Sequence, residues 1–212
     1  MAVGLFGGTF DPVHVAHLRI AEEVREAFSL ERIYFVPAWI QPLKGRSTGA
    51  NASDRVRMLE MATRSNTSFR TSKVEVRRQG VSYSIDTLSV FSRRFDDLYF
   101  LVGLDAFCDI GLWKGYDELF GYANFVVMLR PGKQIEGLPD ALRQRVRAID
   151  SSTWEHASGK RIYLHRITQL DVSSTTIRDL AKAGKSIRYL VPRQVERYIA
   201  ERGLYTNSEK TR

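Results

Sequence analysis

The chain reads as an α/β protein built on a doubly wound parallel sheet, and three observations predict it. Strand-like and helix-like segments alternate from the first residue, as successive βαβ units do. Two apolar runs, Leu98-Tyr99-Phe100-Leu101-Val102 and Phe125-Val126-Val127-Met128-Leu129, are continuous rather than alternating, the pattern of parallel strands buried on both faces. A glycine pair, Gly7-Gly8, stands where the first strand run gives way to a helical pattern. In such sheets ligands sit at the carboxyl ends of the strands, where the strand order reverses.

Taken in order, Val3 to Phe6 is a short apolar run ended by glycines, read as a buried strand. Leu18, Ala21, Val24, Ala27 and Phe28 recur at helical spacing with Arg19, Glu22, Glu23 and Glu26 between them. Ile33-Tyr34-Phe35-Val36 is the second strand, stopped by Pro37. Arg46 to Ser53, rich in Gly, Ser, Asn and Thr, reads as a mobile loop. Val56, Leu59 and Met61 mark a helix, and Lys73-Val74-Glu75-Val76-Arg77 alternates as an edge strand would. Ile85, Leu88 and Phe91 mark another helix, and Ile162-Tyr163-Leu164 a last short strand. Two helices follow as a C-terminal extension. One ends near Gly184; the other opens at Pro192 and stops at Gly203, with proline at its start and glycine just past its end. Residues 1–205 are expected to form a single domain, and Thr206 to Arg212 a polar, disordered tail.

Composition narrows the function classes. At 212 residues the chain can bury one substantial α/β core but not two large ones. No apolar run is long enough to cross a bilayer, so no membrane association is expected. Ala2-Val3-Gly4-Leu5-Phe6 has no basic region before it, so no signal peptide is expected. Cys108 is the only cysteine, which fits a reducing cytoplasm. The net charge of +8 could attract polyanions, but the arginines are scattered among acids and form no basic stripe with interleaved aromatics. Charge alone therefore makes no case for nucleic acid. Nothing in the composition excludes a homo-oligomer.

Two segments carry chemistry. The first is Gly7-Gly8-Thr9-Phe10-Asp11-Pro12-Val13-His14-Val15-Ala16-His17; the second is Val172-Ser173-Ser174-Thr175-Thr176-Ile177-Arg178. Each leads into a helix pattern, and free N–H groups at a helix N-terminus attract anions. The glycines let backbone approach a ligand closely. His14 and His17, three apart, share a helix face and could donate to phosphate oxygens. Phosphate contact is the favoured reading; they could instead cap a turn, or bind zinc if a third ligand existed, but Cys108, His156 and His165 stand at no metal spacing. In the second segment Ser173 or Ser174 is the expected N-cap. That places Arg178 in the first turn, where a cation opposes the helix dipole unless an anion is near. Asp179 or a bound phosphate would meet that need. Gly184-Lys185-Ser186 echoes the end of a P-loop, but Asp179 occupies its upstream glycine position; Gly4 to Phe10 lacks the dinucleotide-binding glycine order.

His-x-x-His after Gly-Gly-Thr-Phe-Asp-Pro, with a distant Ser-Ser-Thr-x-Ile-Arg, resembles the nucleotidyltransferase superfamily related to class I aminoacyl-tRNA synthetases. Within it the chain is similar to the bacterial nicotinate-nucleotide adenylyltransferases. The likeness runs nearly the whole length through Pro37 to Lys44, Ser82 to Leu88, Val102 to Asp105 with Trp113, Leu129-Arg130-Pro131-Gly132, and Tyr189 to Pro192. It also takes in Gly203-Leu204-Tyr205. The resemblance implies a Rossmann-like nucleotidyltransferase fold and adenylyl transfer from ATP, with Mg²⁺, to nicotinate mononucleotide. It implies that His14, His17, Lys44 and Arg178 act on the phosphates, and that Gly7, Gly8, Thr9, Phe10, Gly103, Asp105, Ser174, Thr175 and Ile177 bind ATP. Ser84, Thr87, Trp113 and Lys114 would bind the mononucleotide, Trp113 by stacking and the amides near Ser84 and Lys114 by receiving its carboxylate. The Mg²⁺ would be held by ATP phosphates and water rather than by protein ligands.

Three positions depart from the family pattern. Leu43 stands where the loop usually carries histidine, Lys114 where tyrosine is common after the tryptophan, and Ser84 where threonine is common. They leave acid-versus-amide selectivity open. The same transfer to nicotinamide mononucleotide or phosphopantetheine is the alternative enzyme, and Trp113 could instead be a core residue. A non-catalytic, basic nucleotide- or RNA-binding module is the reading from a different class.

Overall fold

The computed structural model describes residues 1–42, 49–130 and 138–206. Its strands form a single eight-stranded sheet. Six run parallel: β1 (Ala2–Gly8), β2 (Arg32–Pro37), β3 (Phe69–Thr71), β4 (Asp97–Gly103), β5 (Asn124–Leu129) and β8 (Arg161–Arg166). Two short strands, β6 (Val146–Ala148) and β7 (Thr153–His156), extend one edge in antiparallel fashion. The spatial order is β3-β2-β1-β4-β5-β8-β7-β6. The chain therefore winds outward from β1 in one direction, then returns and winds the other way from β4, which is the doubly wound pattern.

The helices are α1 (Val15–Ala27), α2 (Ala52–Thr63), α3 (Val74–Arg78), α4 (Ser84–Ser92), α5 (Leu104–Cys108), α6 (Tyr116–Tyr122), α7 (Ser174–Lys182) and α8 (Arg193–Glu201). Side chains alternate across a strand, so each continuous apolar run feeds two cores. Leu101, Val126 and Met128 enter the core shared with α1, α2, α7 and α8. Phe100, Val102, Phe125, Val127 and Leu129 enter the opposite core with α4, α5 and α6. Helices on both faces are the reason these strands are apolar at every position. Pro192 is the N-cap of α8 and Gly203, one residue past its C-cap, takes φ +57°, in keeping with the expected proline-to-glycine limits.

One predicted element is corrected. Lys73 to Arg77 is not an edge strand; Val74–Arg78 forms a helical turn, with Arg77 N–H donating to Lys73 O at 2.8 Å. Valines at 74 and 76 satisfy a two-residue period, but Glu75 between them is buried instead of facing water. It accepts the Thr87 hydroxyl at 2.6 Å, a tertiary contact that five residues of pattern cannot reveal. The edge belongs to β3, too short to show periodicity. β6 and β7 went unread for the same reason, being three and four residues of mixed polarity.

The difference between sheet centre and sheet edge is measurable. Leu5 is fully buried on β1, whereas Val146 on β6 is half-buried. Leu5→Ala should cost about 2–5 kcal/mol and lower Tm by ~5–15 °C, and Val146→Ala should cost less than about 1 kcal/mol. Thermal melts of the two variants check this ordering.

Candidate functional site

The strand order reverses between β1 and β4, and the carboxyl ends of those two strands are Gly7-Gly8 and Gly103. A cavity of about 220 Å³ opens there, lined by Gly7, Gly8, Ser84, Gly103, Trp113 and Lys114 among others. A Cβ on Gly7 would meet only the Phe100 ring edge, at 3.9 Å, so the backbone is bare on the cavity side. Trp113 packs edge-on to Phe100, 6.2 Å between ring centres at 86°, so it is at once part of the core margin and part of the cavity wall. Lys114 lies 4.7 Å over the Tyr83 ring and 3.7 Å from Asp86.

The two sequence segments meet. Ser174 Oγ donates to Pro12 O at 2.9 Å, and Arg178 Nη1 donates to Asp11 O at 2.7 Å. Val15 N–H, at the first residue of α1, donates to Leu190 O at 3.0 Å, a third tie between the ends of the chain. The N-termini of α1 and α7 therefore open toward one region. The charge placed at these helix starts is selective. Of the eight α-helices among the described residues, α2, α3, α4, α5, α6 and α8 carry Asp or Glu in the first turn; α1 and α7 carry none. An acid there would neutralise the positive end of the dipole. Leaving it out at the two helix starts that converge keeps both available to an external anion. Ser173 is the N-cap of α7, accepting from Thr176 N–H at 3.0 Å.

His14 caps α1 and stacks on His17, with ring centres 3.6 Å apart at 27°. His17 stands at the third helical position and reaches back, its Nδ1 accepting the His14 N–H at 3.2 Å. That bond fixes the tautomer: Nδ1 holds the lone pair, so in the neutral ring Nε2 carries the proton and is a donor. Burial pushes the His14 pKa down to about 4. Burial, and then the neighbouring His14, hold His17 well below the usual imidazole range. Both rings are neutral at pH 7 and offer hydrogen bonds rather than charge. His14 Nδ1 is buried without a protein partner.

Arg178 is the fifth residue of α7, one position beyond the first turn expected for it; the carboxylate beside it is that of Asp11, 3.9 Å away, rather than that of Asp179, and its hydrogen bond goes to the Asp11 backbone oxygen. Asp11 is the residue whose importance the sequence reading missed. Its carboxylate accepts Gly49 N–H at 2.6 Å, Ala50 N–H at 3.0 Å and Tyr205 Oη–H at 2.7 Å. Beneath the first segment Arg55 is 1% exposed and donates to Thr9 O at 2.7 Å. Glu75 and Ser82 also line the cavity.

The remaining candidates divide. Thr9 Oγ1 donates to Gln41 at 2.7 Å, beside the cavity. Thr175 Oγ1 accepts from Arg178 at 3.1 Å. Phe10 is buried against Gly8, and Ile177 is buried in the core, so any ligand contact there falls to backbone. Thr87 is 2% exposed and reaches the cavity only through Glu75. Asp105 is exposed on α5, just past Gly103, and is not among the cavity-lining residues. Lys44 and Leu43, Arg46 to Thr48 of the expected loop, Pro131-Gly132 and all but Thr206 of the tail lie outside the described residues; the loop's expected end is corrected, since Asn51 caps α2 and Ala52 and Ser53 belong to that helix. Among the described residues no group of three His, Cys, Asp or Glu could hold a metal ion, and no helix is long and apolar enough to cross a membrane.

Residues 5–180 match the cytidylyltransferase-like family. A probable nicotinate-nucleotide adenylyltransferase of Geotalea uraniireducens is 45% identical over 98% of this chain and 100% of its own. That of Geobacter sulfurreducens is 42% identical over 98% and 99%. Among solved structures, Plasmodium falciparum nicotinic acid mononucleotide adenylyltransferase complexed with NaAD superposes with a TM-score of 0.72. It is 18% identical and covers 96% of this chain and 97% of its own.

The neutral histidines make stability depend on pH. A histidine whose folded pKa is depressed contributes stability that is full above its unfolded pKa and lost as pH falls through the window down to the folded value. For His14 that window runs from 6.5 to about 4. Urea unfolding should therefore show a loss of about 2 kcal/mol on going from about pH 7.5 to about pH 5, reduced in His14→Gln. Equal stability of the unmutated protein at the two pH values would overturn the neutral assignment.

Proposed function

This chain belongs to the nicotinate-nucleotide adenylyltransferase family, and from that premise we propose that it transfers the adenylyl group of ATP to nicotinate mononucleotide. An oxygen of the mononucleotide phosphate forms a bond to the α-phosphorus of ATP, the bond to the β-phosphate bridge breaks, and pyrophosphate leaves as deamido-NAD forms. The observation that carries this reading is the convergence of two acid-free helix N-termini on one region at the strand-order reversal. Such a site suits a polyphosphate, and the adjoining cavity with Trp113 suits a planar ring.

In this reading the protein aligns and stabilises, with no covalent step on the enzyme. His14 and His17 donate to the triphosphate, His17 through Nε2 near the reacting phosphoryl group. Arg178, Ser174 and Thr175 take the β- and γ-phosphates, and Lys44 approaches from its loop. Gly7, Gly8, Thr9, Phe10, Gly103, Asp105 and Ile177 form the nucleotide side. Trp113 stacks on the pyridine ring while amides near Ser84 and Lys114 meet its carboxylate. Mg²⁺ would supply charge neutralisation on the phosphates, held by them and by water. The residues fit that arrangement: Asp11, the carboxylate between the two segments, already accepts three hydrogen bonds.

Pyrophosphate release by the purified protein with ATP and Mg²⁺, measured for nicotinate mononucleotide, nicotinamide mononucleotide and phosphopantetheine, tests the reading. The acid should give the highest kcat/KM. Absence of release with every acceptor, together with tight tRNA binding at physiological salt, would replace the enzyme by a binding module. His17→Ala should reduce kcat about a hundredfold or more, since it removes a donor aimed at developing charge, and should lower Tm by about 2–8 °C through loss of the bond to His14 N–H and of the stacked ring. Near-normal turnover would remove His17 from the mechanism. The Lys114 ammonium is 55% exposed, so its attraction for the ring carboxylate is screened. Lys114→Met should accordingly narrow the acid-to-amide kcat/KM ratio by about tenfold, not abolish it. An unchanged ratio would leave acid selectivity to the backbone.

A further inference from the structure

Five residues from four parts of the chain meet behind the phosphate-facing segments. Asp11 Oδ1 accepts Tyr205 Oη–H and Ala50 N–H, and Oδ2 accepts Gly49 N–H, all between 2.6 and 3.0 Å. Arg178 Nη1 stands 3.9 Å from Oδ2, outside hydrogen-bond reach, and bonds instead to the Asp11 backbone oxygen. Gly49 makes the meeting feasible. A Cβ there would lie 2.8 Å from Arg178 Cδ and 2.8 Å from two carbons of the Tyr205 ring.

The three donors matter because a carboxylate and a guanidinium left facing each other form a strong two-pronged pair. A neutral backbone oxygen is a weaker rival to a phosphate than an ionised carboxylate is. Resting on the adenylyl-transfer reading, we propose that Tyr205 is a positioning residue: its hydroxyl helps saturate Asp11, so that Arg178 stays free to exchange its backbone partner for a triphosphate. Burial, followed by the adjacent Asp11, raises the Tyr205 pKa, so the hydroxyl remains a donor at every working pH.

The test is a double-mutant cycle on ATP affinity, measured by calorimetry without acceptor and carried to millimolar ATP. Tyr205→Phe should weaken ATP binding about tenfold and leave the KM for nicotinate mononucleotide within about twofold. In an Arg178→Met background the same change should alter ATP affinity less than about twofold. A fall in Tm with ATP affinity unchanged, or an equal loss in both backgrounds, would overturn the proposal and leave Tyr205 a structural contact. Should Tyr205→Phe fail to fold, Gly49→Ala, which crowds both Arg178 and Tyr205, should give the same ATP-selective loss that depends on Arg178. An Arg178-independent loss from Gly49→Ala would again overturn it. Failure of the unmutated protein to release pyrophosphate would sink the functional reading by itself, because ATP affinity is read separately.

Discussion

The carboxylate of Asp11 accepts hydrogen bonds from Gly49, Ala50 and Tyr205, while its backbone oxygen accepts one from Arg178. Residues far apart along the chain are thereby fixed around one acid beneath the first glycine-containing segment. A buried charge is tolerable only when such donors surround it. The geometry of the surface proposed to face the triphosphate depends on this arrangement, because Arg178 and the start of α7 are anchored to the same short stretch that leads into His14.

The site treats charge sparingly. Two helix N-termini supply partial positive charge from backbone, and two stacked imidazoles supply donors in neutral form. Full cationic charge among the described residues of the two segments comes from Arg178 alone. A pair of stacked imidazolium rings would repel each other, and burial avoids that state. Donors fixed in direction cost little reorganisation when a polyphosphate arrives. In the proposed adenylyl transfer, that is how a short-range array would hold a highly charged ligand without a dense cluster of lysines.

Much of this was legible in the amino-acid order, and the illegible part has a physical pattern. Continuous runs such as Phe125 to Leu129 announce themselves because residues on both faces are buried. Gly7-Gly8 with His14 and His17, and Ser173 with Arg178, are legible because the chemistry of a helix start is local. The acid-free first turns of α1 and α7 were also present in the sequence, visible once helix limits are known. What could not be read depends on partners far away. Glu75 turns inward to meet Thr87, so an alternating stretch becomes helix. Tyr205 gave no local sign that it would bond to Asp11, and Gly49 showed only as one glycine in a polar loop. β6 and β7 are held by pairing rather than by pattern.

The joining of the first segment to α7 and Tyr205 also orders events during synthesis. A ribosome releases residues from the N-terminus at roughly 5–20 per second, so the glycine turn and both histidines emerge long before residue 205. The β1, β2 and β4 strands can associate in that interval, yet the guanidinium of Arg178 and the phenol of Tyr205 arrive only after all of those strands have been made. In the proposed reading, a growing chain thus carries half an anion cradle until residues 178 and 205 have joined the segment that was made first.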